Sequence, residues 1–302
     1  MTAAALKLFS TSPQMEKLYR RMGNVLGTKR RLKSGFTKSY VNRAYILLDL
    51  AKKHNAIQNG YKLLELGTGW VHWGSIFIRL FNDVNITLFD VWDNRQLKAL
   101  KHNFAELAKL YSKEIDIAPT QYERVHSLLR AISSVNSFDD LYNLLGFQYV
   151  IEPSGTLRHF QDESFNVIFS CAVLEHINRG ILSEYVRDFY RLLKPGGYSI
   201  HTIDMGDHIS YYDRSVSVKN YLRYSDTIWK SCFENKVQYF NRVQRSEWLN
   251  LFHKAGLKLI AEESLSSNIS TITINNKYKL LDNCDLSCKD LRVVHRKQPL
   301  IA

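Results

Sequence analysis

From residue 61 onward, short apolar runs alternate with stretches whose apolar residues recur at helical spacing. The runs cover 61–67, 84–90, 147–151, 165–170, 197–203, 257–263 and 291–296. They predict strands, and the stretches between them predict helices, the pattern of a parallel sheet covered on both faces. Ahead of them, residues 13–58 read as helical, as in YVNRAYILLDLAKKH (40–54). Within 181–193, Ile181, Tyr185, Phe189 and Leu192 give one apolar face, and KPGG (194–197) ends that helix. The interval between the second and third runs exceeds what one crossover helix needs, so an additional helical pair is expected near 104–114 and 121–145. The chain therefore divides into an N-terminal helical segment, 1–58, and a sheet-bearing domain, 59–302. That domain carries insertions at about 104–146 and 205–246.

Composition narrows the class. Apolar residues are 45% and charged residues 23% of 302, a soluble globular mixture. No apolar run approaches the roughly 20 residues a membrane span requires, and the N-terminus lacks the apolar core of a secretory signal. A cytoplasmic location is the expectation. Four cysteines do not make a disulfide scaffold, and Cys284 and Cys288 lack a second Cys/His pair, so no metal site is expected. The net charge of +12 attracts anions. Its densest patch is 27–38, with Lys29, Arg30, Arg31, Lys33 and Lys38. Two readings remain there: a solvated helix end or loop, or a dock for a phosphate-bearing substrate or nucleic acid.

The chemistry begins where the first strand ends. From Gly67 the chain reads Gly67, Thr68, Gly69, Trp70, Val71, His72, so the third glycine of a G-x-G-x-x-G dinucleotide turn is a histidine. Trp70 and Val71 also hinder the close backbone approach that a pyrophosphate needs. What remains is Glu65-x-Gly67-x-Gly69, with Asp90 21 residues beyond Gly69, at the end of the next strand. A carboxylate there can accept from both ribose hydroxyls. A ribose without a pyrophosphate, beside an acid, suits a nucleoside that carries a positive group, and S-adenosylmethionine is the candidate. Glu65 would complement its ammonium, and the helix N-terminus its carboxylate.

Taken with LFD (88–90), DESFNVIFSCAVLEHI (162–177) and RLLKPGG (191–197), the stretch LLELGTGW (63–70) resembles class I S-adenosylmethionine-dependent methyltransferases. The likeness spans about 60–203, and more loosely 245–296. It implies an α/β fold: a Rossmann-like, seven-stranded, mostly parallel sheet flanked by helices. Its last strand is antiparallel and follows the sixth by a hairpin. It also implies that Glu65, Gly67, Thr68 and Gly69 hold the methionine moiety, Asp90 the ribose, and Val91 and Trp92 the adenine. Ser154, Gly155 and Thr156, after the third strand, are candidates near the adenine amino group. Residues 1–58 and the two insertions would cover the acceptor.

The fourth run ends in FSCAVLEHI, which places Ser170 to His176 at the carboxyl edge of the sheet. The N/D-P-P-Y/F/W motif of enzymes that methylate base amino groups is missing, as is the Pro-Cys of cytosine C5 enzymes. VLEHI is similar to small-molecule O-methyltransferases, including the ubiquinone-pathway type. A hydroxyl acceptor must lose a proton, so His176 is the first candidate base, with Asp207 and His208 after the fifth strand as alternatives. The expected acceptor is a small or carrier-linked, anionic metabolite. The competing functions are RNA methylation, disfavoured because no RNA-binding module is recognisable, and non-catalytic cofactor binding.

Overall fold

The computed structural model describes residues 2–33, 38–114 and 118–299. Helices α1 (Thr2–Phe9), α2 (Pro13–Lys33) and α3 (Lys38–Lys53) precede strand β1 (Lys62–Leu66). Then follow α4 (Trp73–Phe81), β2 (Asn85–Asp90), α5 (Leu97–Glu114), α6 (Tyr122–Ser134), α7 (Phe138–Leu145) and β3 (Phe147–Ile151). The second half contains β4 (Phe165–Cys171), α8 (Leu182–Leu192), β5 (Leu193–Asp204), α9 (Asp226–Cys232) and α10 (Arg245–Lys254). It closes with β6 (Leu257–Ser266), α11 (Asn283–Ser287) and β7 (Cys288–Lys297).

The strands form one seven-stranded sheet in the order β3-β2-β1-β4-β5-β7-β6. β1 runs parallel to β2 and to β4, and β2 parallel to β3; Leu66 pairs with Phe89 on one side and Ser170 on the other. All seven predicted strands are present, and this is the mostly parallel sheet the sequence implied. β6 and β7 are neighbours in the sheet, but residues 267–287 intervene, carrying a 3-10 turn at Asn276–Tyr278 and α11.

By contacts the chain forms two compact units. One comprises 24–171, 191–200 and 296–302. The other comprises 1–23, 172–190 and 201–295. In the first, β1 is buried over Leu63–Leu66 because it is central, α4 meets it where Ser75 donates to Glu65, and Ile76, Phe77 and Leu80 of α4 are all 0% exposed. The second has its own aromatic core of Tyr221, Leu222, Trp229, Phe240, Ile272 and Tyr278.

Three local expectations need correction. The helical segment expected over 1–58 resolves into three helices, α1, α2 and α3; residues 34–37, part of the basic patch, lie outside the described residues. The expected helical pair of the first insertion is three helices, because Ser137 caps α7 with a reciprocal capping box to Asp140 and separates it from α6. Finally, Ile181 is 47% exposed, and the buried stripe of α8 is Leu182, Val186, Phe189 and Leu192. A 3-10 turn capped by Asn178 occupies 179–181, so Ile181 lies ahead of the helix; Leu182 and Val186 take the inward places expected of Ile181 and Tyr185, while Phe189 and Leu192 stay inward as expected.

Candidate functional site

The Gly67–Gly69 turn sits at the carboxyl end of β1, inside the first unit. Both glycines have positive φ, 64° and 65°, a region open to glycine at no steric cost. The Gly67 N–H donates to the carbonyl of Phe89 at 2.8 Å, tying the turn to the end of β2. Asp90, buried, accepts from the Gly69 N–H at 3.2 Å and from the Val91 N–H at 2.8 Å. A carboxylate has about four lone-pair directions, so this one can still accept from two hydroxyls. Burial raises its pKa, opposed by the N–H donors of Gly69, Val91 and Trp92. A Cβ built on Gly69 would meet nothing within 4 Å, so the turn borders open space that a side chain there would fill. Next to Asp90, Val91 leaves 39% of its apolar surface exposed. These features fit S-adenosylmethionine: an open glycine cradle for the amino-acid end, a carboxylate with spare acceptor capacity, and an exposed apolar face for a base.

The turn after β3 folds against the same edge. Glu152 N–H donates to the Asp90 carbonyl at 3.0 Å, and Gly155 (φ 74°) would bring a Cβ 3.5 Å from Val91. Ser154 donates through backbone and hydroxyl to the Glu152 carboxylate, at 3.0 and 2.7 Å, and the Thr156 N–H donates to Ser154 Oγ at 3.3 Å. Trp92 is half-buried, and its carbonyl lies 3.5 Å from the Tyr149 hydroxyl. Ser170, on β4, is fully buried.

Glu65 takes an inward position. Its carboxylate accepts from Thr68 Oγ1 at 2.8 Å and Ser75 Oγ at 2.6 Å, and a Cβ on Gly74 would fall 2.6 Å from it. Burial pushes its pKa up to about 7, opposed by the two hydroxyls. The acid thus laces the turn to α4.

His72 has a part that sequence reasoning missed. It caps α4 in the left-handed region, φ 51° and ψ 39°, and is fully buried. Nδ1 lies 2.8 Å from Thr68 Oγ1 and Nε2 3.1 Å from the Tyr142 hydroxyl on α7. Phe138, Tyr142 and Tyr149 pack around the ring. Burial drives its pKa down to about 3, so the imidazole is neutral. Arg95 adds a guanidinium 4.3 Å from the Tyr149 ring and pairs with Asp93 at 2.7 Å.

In the second unit, the segment after β4 forms a 3-10 turn, Leu174–His176. His176 is exposed, and its Nδ1 lies 2.7 Å from the Tyr239 carbonyl. A carbonyl only accepts, so Nδ1 carries the proton and Nε2 the lone pair. The His176 and His208 rings lie 5.0 Å apart; the protein packed around the His176 ring desolvates it and lowers its pKa although part of the residue is exposed, and burial lowers that of His208 to about 4, with Asp204 opposing both. Asp207 is not brought onto His208: it caps the turn at His208–Tyr211 through the Ile209 N–H at 3.0 Å, and burial raises its pKa to about 6. The carboxylate that acts on the histidine pair is Asp204, which also accepts from the Tyr211 hydroxyl. Among the described residues, Glu175, His176 and His208 could hold a metal ion, with donor atoms all within 4.8 Å of one another. Neighbouring ligands on a tetrahedral zinc lie about 3.4 Å apart, so the cluster would have to contract. A pocket lined by Leu6, His208, Trp229, Gln238, Tyr239 and Phe240 adjoins it. Among the aromatic residues of the 205–246 insertion, Tyr221 and Trp229 are core, whereas Tyr211 and Tyr212 are more than half exposed.

The glycine turn, the acid at the end of β2 and the sheet order define a class I methyltransferase. A family model described as a methyltransferase domain matches residues 30–262, and the chain belongs to that family, whose cofactor is S-adenosylmethionine. No curated protein matches the sequence. Among solved structures, phosphoethanolamine N-methyltransferase 2 of Haemonchus contortus in complex with S-adenosylmethionine is similar at 15% identity and TM-score 0.48. That match covers 85% of this chain and 52% of the other, so the chain spans about half the length of the Haemonchus enzyme. An S-adenosylmethionine-dependent methyltransferase from Methanosarcina mazei matches at 13% identity and TM-score 0.47, over 82% of this chain and 97% of that one. A putative sarcosine dimethylglycine methyltransferase from Galdieria sulphuraria matches at 14% identity and TM-score 0.47, over 85% and 86%. No helix among the described residues is long and apolar enough to cross a membrane.

Proposed function

We propose that the protein transfers a methyl group from S-adenosylmethionine to a hydroxyl of a small or carrier-linked, anionic acceptor. The observation that carries the cofactor half is the open face of Gly69 beside a buried Asp90 with acceptor capacity to spare. In this reading Asp90 accepts from the ribose hydroxyls, Gly67 and Gly69 admit the amino-acid end, and Val91 and Trp92 flank the adenine. Ser154, Gly155 and Thr156 border the adenine edge. Glu65 and Thr68 hold the turn in shape, and Glu65 adds negative charge on the ammonium side. The bound cofactor supplies an electrophilic methyl on a sulfonium, displaced in line, so the chain's task is alignment and proton removal.

His176 takes the proton. With Nδ1–H fixed on the Tyr239 carbonyl, its Nε2 is a neutral acceptor at pH 7. The His208 ring lies tilted 5.0 Å away, and burial with the neighbouring His176 keeps His208 neutral at pH 7. The anionic acceptor follows from the net charge of +12. Isothermal titration with S-adenosylmethionine tests the cofactor site. Incubating extract with the enzyme and methyl-labelled cofactor, then finding the labelled product by mass spectrometry, tests transfer. Binding without any labelled product would make the protein a non-catalytic binder, and a labelled RNA would replace the small acceptor.

A further inference from the structure

Helix α2 spans 21 residues and has no buried side chain. Leu18, Met22, Val25, Leu26 and Leu32 are 45, 43, 57, 60 and 38% exposed. At 100° per residue these five fall within an arc of about 120°, so one apolar stripe runs along nearly the whole helix. Lys29 and Lys33 fall inside that arc and Arg21 close to its border, all exposed. The helix's one acid, Glu16, lies on the far side, where it pairs with Arg20 and Lys236. The opposite face is the one that is held. Asn24 Oδ1 accepts from Trp70 Nε1 at 3.0 Å, and Arg31 lies 4.3 Å over the Trp70 ring while donating to Gln96. Most of α2 precedes residue 30, where the family match begins.

We infer that this face of α2 docks on an anionic phospholipid surface. An exposed apolar stripe set among basic side chains suits the interface plane of a bilayer: the apolar residues enter the acyl boundary while the cations meet headgroup phosphates. Lysine stems lie along apolar surface with their ammonium groups in water, so Lys29 and Lys33 fit within the stripe. A second copy of the chain would set lysines against lysines. Nucleic acid would use the charges and leave Val25, Leu26 and Leu32 in water.

The test is flotation of the full chain with vesicles of phosphatidylcholine alone and of phosphatidylcholine mixed with phosphatidylglycerol. The expected result is binding to the mixed vesicles only, weakening as salt is raised. The double substitution Val25→Ser, Leu26→Ser should lower the partition coefficient at least about tenfold with unchanged circular dichroism, because both side chains are already exposed. Lys29→Ser, Lys33→Ser should lower it too and flatten its salt dependence. No flotation of the wild type, or equal flotation of the Val25/Leu26 variant, overturns the inference. So does a concentration-dependent dimer that the same variant abolishes, since the stripe would then be covered by a second copy. None of these readouts involves methyl transfer, so the inference and the proposed activity stand or fall separately.

Discussion

The Nε2 of His72 lies 3.1 Å from the hydroxyl of Tyr142, and its Nδ1 lies 2.8 Å from Thr68. One imidazole therefore joins α7, in the first insertion, to the turn that carries the cofactor residues. The position is one where a dinucleotide turn uses glycine, and the backbone there keeps the left-handed conformation, φ 51°. His72→Gly should relieve that backbone yet destabilise the protein by about 2–3 kcal/mol, from lost packing and two lost hydrogen bonds. Cofactor affinity should fall about tenfold as the turn loosens. His72→Asn tolerates the same φ and keeps a polar group toward Thr68, so it should retain more affinity than glycine does. Urea unfolding and titration of each variant check this. A glycine variant that binds cofactor like the wild type would leave His72 with a packing role alone.

Asp90→Ala removes an acceptor from the Gly69 and Val91 N–H groups and, in the proposed site, from the ribose. Cofactor affinity should fall by about 1.5–3 kcal/mol with secondary structure intact. Gly69→Val should abolish binding for a different reason. Its Cβ meets no protein atom within 4 Å, so the side chain enters the open cradle. The positive φ adds about 1–2 kcal/mol of strain. Calorimetric titration of both variants is the measurement, and unchanged affinity in either would remove that residue from the cofactor site.

The strands were legible because a central parallel strand buries both faces and reads as a continuous apolar run. KLLEL and NVIF were found for that reason, and the glycine and acid that end β1 and β2 marked the turn. What escaped the sequence depended on conformation. A histidine with positive φ is uncommon and carries no local signal, so His72 read only as a missing glycine. Ile181 was placed on the inward face of α8 because a helix starting one residue earlier fits the same periodicity; the Asn178 cap decides the start. Glu152 belongs to no motif, although its backbone N–H and carboxylate hold Asp90 and Ser154 in one turn. The pairing of His176 with His208 and Asp204 joins segments about thirty residues apart, and an Asp next to a His in sequence pointed to Asp207 instead.

For the proposed base, His176→Gln should lower kcat by about a hundredfold to ten-thousandfold and leave cofactor affinity nearly unchanged. The wild-type kcat should fall on the acid side with an apparent pKa below the ordinary 6.5 of histidine, because the protein packed around the ring desolvates it. That limb should vanish in the variant. His208→Gln should leave the limb in place, because His208, with its pKa lowered to about 4, carries little positive charge above that pH. Dialysis against a chelator should leave kcat unaltered. A loss that a divalent cation restores would instead make Glu175, His176 and His208 metal ligands. If neither histidine alters the profile, a nitrogen or carbon acceptor that needs no base becomes the better reading.

His295 offers a test of acid stability. It is 1% exposed, stacks on Phe252 with ring centroids 4.2 Å apart, and neither ring nitrogen has a hydrogen-bond partner among the described residues. Burial pulls its pKa down to about 3. The unfolded chain takes up that proton below 6.5 and the folded chain does not until about 3, so its contribution to stability is full above 6.5 and declines as pH falls. His72 and His201, also lowered to about 3, act in the same direction. Glu65 and Asp207 oppose them, since raised carboxyl values favour the folded state as pH falls. His295→Phe keeps the stacking and removes two unpaired nitrogens, so it should stabilise the protein by about 1 kcal/mol at neutral pH. Between pH 7 and pH 5 its advantage over the wild type should grow by about 2 kcal/mol, the linkage expected for a group that cannot charge until the chain unfolds. Urea unfolding at both pH values measures this. An advantage that stays constant across that range would mean that His295 is protonated in the folded state and that the packing against Phe252 admits an imidazolium.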